Sequence, residues 1–80
     1  MAPHPDISTI MAFDPRAGIA DLEARLAAMK DDAARLGYPF DRHDVRNELQ
    51  AATFRLREPR QLRLLLGPSG AVAIEIAPVT

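Results

Sequence analysis

Residues 62–76 read Leu62-Arg63-Leu64-Leu65-Leu66-Gly67-Pro68-Ser69-Gly70-Ala71-Val72-Ala73-Ile74-Glu75-Ile76, with an apolar side chain at every second position on either side of a Gly-Pro-Ser-Gly centre. Alternation with a period of two places Leu62, Leu64 and Leu66 with Val72, Ile74 and Ile76 on one face of a sheet. Gly67-Pro68-Ser69-Gly70-Ala71 has Pro where a type I turn favours it and Gly where the next residue must be left-handed. The turn therefore fixes a register: Leu66 opposite Val72, Leu64 opposite Ile74 and Leu62 opposite Ile76, with Arg63 opposite Glu75 on the reverse face. A hairpin of about 61–66 and 71–77 is predicted, and its apolar face needs cover.

Upstream the period changes. Ile19, Leu22, Leu26, Met29, Ala33 and Leu36 are spaced by three and four, the stripe of a helix. Asp14-Pro15 offers a cap and a first-turn proline, while Gly37 and Pro39 stop the chain, so the first helix is predicted over about 15–36. Phe40 and Asp41 open a second helix, with Asp41 as N-cap and Asp44 as a capping-box acid. Val45, Leu49, Ala52 and Leu56 continue its stripe, and Pro59 closes it, giving about 41–57. The short link between them predicts an antiparallel helical hairpin packed on the β-hairpin. Residues 7–13 alternate well enough for a short strand, and residues 1–6, with two prolines, read as a flexible tail. The expected fold is α+β, one small domain over residues 7–80.

Eighty residues support one modest core, so association with a second copy is an expected source of stability. Cysteine is absent, which removes disulfides and thiolate chemistry and fits a cytoplasmic setting. No apolar run is long enough to span a membrane, and no basic cluster precedes one at the N-terminus. The net charge is −1, divided as −3 over residues 1–54 (nine acids, six bases) and +2 over residues 55–80 (four Arg, two Glu).

Chemistry is sparse. His43 stands beside Asp41, Asp44 and Asn47, but one imidazole is short of a transition-metal set, and the helix start already favours the two acids. The Ser and Thr residues have no neighbouring base, and no glycine-rich loop joins a strand to a helix. The chain is expected to be non-enzymatic, without metal or cofactor. The candidate contact surface is Phe54, Arg55, Arg57, Arg60 and Arg63, together with Leu65 and Ala73 on the reverse face of the hairpin.

The run Ala33 to Leu49 resembles a segment of the leader-peptide family associated with nitrogen-fixation genes, with Gly37-Tyr38, Phe40 and Asp44 at the matching positions. That resemblance implies a precursor of a ribosomally made, modified peptide. The residues themselves point to a small adaptor, inhibitor or accessory subunit that occupies the surface of another protein, or to a homodimer. A nucleic-acid-binding regulator using Arg55 to Arg63, with Phe54 stacking on a base, is the alternative.

Overall fold

The computed structural model of the chain describes residues 5–79. The elements run β1 (Ile7–Asp14), β2 (Gly18–Ile19), α1 (Leu22–Leu36), α2 (Arg42–Thr53), β3 (Arg60–Leu66) and β4 (Val72–Pro78). The strands form one antiparallel sheet in the order β2-β1-β3-β4. The fold is α+β, with strands at both ends of the chain and helices between them.

The C-terminal hairpin has the register its turn dictates. Leu66 pairs with Val72, Leu64 with Ile74, Leu62 with Ile76 and Arg63 with Glu75. Gly70 donates to the Gly67 carbonyl at 3.0 Å, Gly67 donates to Ala71 at 2.9 Å, and Gly70 takes the left-handed φ of 90° that the turn requires. The first strand is paired along one edge, where Ile7, Thr9 and Met11 meet Leu66, Leu64 and Leu62, and the two-residue β2 covers its other edge at Phe13 and Asp14. Its alternating side chains complete the inner face begun by the hairpin.

The first helix begins later than the sequence predicts. Asp14 and Pro15 do not open it; the Asp14 carboxylate accepts from the amides of Arg16 at 2.7 Å and Ala17 at 3.3 Å, closing a turn. Gly18 at φ 82° then returns the chain, Phe13 pairs with Ile19, and Ala20 donates to Ala12 at 2.9 Å. An Asx turn and a helix N-cap use the same acceptor on the same amides, so the residues alone do not distinguish them. The helix starts at Leu22, after Asp21 in a left-handed conformation with no side-chain cap. It ends as predicted: Tyr38 donates to Ala33 at 2.8 Å and Gly37 to Ala34 at 3.3 Å, the paired bonds of a Schellman motif.

Asp41 caps α2 by accepting from His43 and Asp44 at 3.0 and 3.1 Å. This helix stops at Thr53, four residues short of the predicted end. The Thr53 hydroxyl donates back to Leu49 at 2.8 Å, and a turn in which Leu56 donates to the Thr53 carbonyl replaces further helix. The helical pair is joined through its first turns: Glu23 of α1 accepts from Arg46 at 2.6 Å and from Arg42. The short link at Gly37–Phe40 did not specify that arrangement.

The core unites Met11, Phe13, Leu62, Leu64 and Leu66 of the sheet with Leu26, Met29, Ala33, Tyr38, Val45 and Leu49. Leu36, the last member of the predicted stripe, is exposed, and Tyr38 beyond the glycine is buried in its place. Tyr38 also donates its hydroxyl to the Pro5 carbonyl at 2.7 Å, so the predicted flexible tail is tied down at its described end. The rest of that tail, residues 1–4, lies outside the described residues. Among the described residues, no helix is long and apolar enough to cross a membrane.

Candidate functional site

The seven side chains singled out in the sequence fall into two groups. Leu65 and Ala73 are register partners on the outer face of the sheet, and Arg63 reaches Glu75 across the same face at 3.6 Å. Phe54, Arg55 and Arg57 lie in the exposed connection after α2, with Phe54 projecting almost completely into solvent. Arg60 opens β3, where it pairs with Glu58 at 3.2 Å and donates to the Pro59 carbonyl at 2.9 Å. Strand parity accounts for the division. Arg60 is three residues from Arg63, so the two side chains point to opposite faces of the sheet.

The outer face is uncovered. Ser8, Leu65 and Ala73 form one row across β1, β3 and β4, while Ile10, Arg63 and Glu75 form the next. Ile10 is half exposed, and the row beyond holds Ala12, Gln61 and Ala77. This surface is mixed in polarity, with its charges paired.

The concave surface lies elsewhere, at the end of the sheet where the β1–β2 turn, the α2–β3 connection and the chain after β4 converge on Pro59 and Val79. A groove of about 580 Å³ is lined by Glu58, Pro59, Arg60, Pro78 and Val79. Beside it, Asp14, Pro15, Arg16, Arg57 and Pro59 line a second of about 300 Å³. A third, of about 270 Å³, is walled by residues that include Phe13, Gly18 and Ala20. Arg16 belongs to this region and was missed in the sequence, because a helix starting at Pro15 would carry it away from Arg57. The signal that could have found it is Asp14-Pro15-Arg16-Ala17-Gly18, which has the Pro and Gly of a hairpin turn.

Chemical equipment at these grooves is limited to guanidinium and carboxylate groups. Among the described residues, no three His, Cys, Asp or Glu side chains gather as a metal site. The Ser69 hydroxyl accepts from Ala71 within the turn at 3.4 Å, and the Thr53 hydroxyl is spent on its own helix. The tightest electrostatic feature is Glu23, held between Arg42 and Arg46. The hydrogen bond from Arg42 is the largest cause; desolvation opposes it, and the hydrogen bond from Arg46 with the charges of both arginines leaves the Glu23 carboxyl below its ordinary range.

No protein-family model and no curated protein matches the chain. Among solved structures, the chain is similar to a Mesorhizobium loti protein provisionally named an amino-acid aminotransferase. The TM-score is 0.85 at 23% sequence identity, over 94% of this chain and 36% of that one. The chain thus spans about a third of the length of that protein, and at this identity the likeness establishes a shared fold. It stands against the expectation of a small regulatory adaptor, inhibitor or accessory protein, and of a nucleic-acid-binding regulator in its place. The backbone read as a self-contained regulatory module recurs as one segment of a longer protein that carries an enzyme's name.

Proposed function

We propose that these residues form the sheet-and-helix lobe of an aminotransferase-type protein that acts on amino acids. The observation that carries this reading is the shared course of the backbone over 94% of the chain, with a TM-score of 0.85. The course so shared includes the β2-β1-β3-β4 sheet and the two helices that lie between its first and last strands in sequence.

Amino-group transfer proceeds on pyridoxal phosphate held by a lysine, which acts as the electron sink. The chain's single lysine, Lys30, is exposed on α1 and lines none of the grooves described above. The residues present therefore do not fit that cofactor, and no step of the reaction is derived from them. On this reading another domain or another chain supplies the reaction centre. The lobe contributes a rigid wall, an antiparallel sheet stiffened from one side by both helices.

The test is an amino-group transfer assay on the protein purified from its own cells, in whatever covalent or assembled form it has there. A panel of L- and D-amino acids is offered with 2-oxo acids and added pyridoxal phosphate. Transfer by the native form, with none by the 80-residue chain alone, is the expected result. A native form inactive toward every amino acid overturns the reading, as does an isolated chain that is equally active.

A further inference from the structure

We propose that Arg16 and Arg57 form a binding site for a small oxyanion, a carboxylate or a phosphate. The two residues are far apart in sequence and reach one groove of about 300 Å³ from different connections, the β1–β2 turn and the segment between α2 and β3. Pro15 and Pro59 line the same groove. Pro15 directly precedes Arg16 and fixes its own φ, which stiffens the chain where that side chain branches off.

Charge pairing separates these two arginines from five others. Arg35 is paired with Asp32, Arg42 and Arg46 with Glu23, Arg60 with Glu58 and Arg63 with Glu75. Among the described residues, neither Arg16 nor Arg57 has a carboxylate within ion-pair distance. The nearby acids are engaged: Asp14 accepts from two backbone amides and Glu58 accepts from Arg60. Arg25 and Arg55 are likewise unpaired, but neither lines this groove. Two arginines bordering one concavity suit an oxyanion, which can accept from more than one guanidinium. With Asp14 on the rim, two positive charges and one negative leave the groove net positive by one. The site rests on this arrangement alone and stands whether or not the aminotransferase-lobe reading holds.

Backbone amide resonances of the ¹⁵N-labelled 80-residue chain, titrated at low ionic strength, provide the test. One arm uses inorganic phosphate and the other glutarate. Saturable shifts centred on Arg16, Ala17, Arg57 and Glu58 are expected, and the arm with the tighter apparent Kd names the source of the oxyanion. Arg57→Gln should weaken binding by about tenfold, the loss expected from one charge-assisted hydrogen bond. Arg55→Gln removes the same charge two residues away and should change binding by less than about twofold, because exposed charges outside the groove are screened. Both side chains are exposed, and the same spectra report whether each variant keeps its fold. Shifts that fail to saturate in both arms overturn the proposal. So does an equal loss in the two variants, which would mean a diffuse field and no site.

Discussion

Single residues hold this fold in ways that can be measured separately. Glu23 receives both Arg42 and Arg46, and the Arg42 hydrogen bond is the larger reason its carboxyl lies below the ordinary value of 4.5. A carboxyl whose pKa is lowered on folding stabilises the protein above its unfolded value, and that contribution is lost as pH falls through the folded value. The gap in denaturation midpoint between the wild-type protein and Glu23→Gln should therefore be present at neutral pH and close below about pH 4.5. A gap that persists unchanged into acid would remove the charge on Glu23 as its cause. Gly70 and Gly18 make a second pair. Both are left-handed, but a Cβ on Gly70 would sit 3.0 Å from the Pro39 Cβ and 3.3 Å from its carbonyl oxygen, whereas Gly18 has open space. Gly18→Ala should cost about 1–2 kcal/mol from backbone strain alone. Gly70→Ala should cost more, and equal values in urea denaturation would mean that Pro39 yields freely.

Among the elements, β3 has the most at stake, since it lies between β1 and β4 and sends Leu62, Leu64 and Leu66 fully into the core. Leu64→Ala should cost about 2–5 kcal/mol. A domain of this size has about 4–12 kcal/mol in total, so the variant should be largely unfolded on mild heating. Leu65→Ala, one residue along and on the outer face, should cost about 1 kcal/mol or less, and circular dichroism melts separate the two. The β3–β4 register was legible in the sequence because turn chemistry and period-two alternation agree there. The C-terminus of α1 was legible because Gly37 admits few alternatives. The start of α1 was not, since Asp14-Pro15 serves a turn as readily as a cap. The end of α2 was not either, because Thr53 closes its own helix through a hydroxyl bond that periodicity does not register.

At the scale of the whole molecule, the sequence shows one apolar sheet face and two amphipathic helices, and those suffice for the α+β architecture. The grooves were beyond its reach. They form where three connections meet, and the sequence reading placed Arg16 on a helix. The function was further still, because the chemistry-bearing residues are few and the backbone matches only 36% of a longer protein. The central claim is that these residues are a lobe whose reaction centre lies outside them. Its most direct measurement is borohydride reduction of the natively purified protein after incubation with pyridoxal phosphate, followed by peptide mapping of the labelled lysine. The account predicts stoichiometric label on a lysine outside residues 1–80. Label on Lys30, or on no lysine at all, would contradict it.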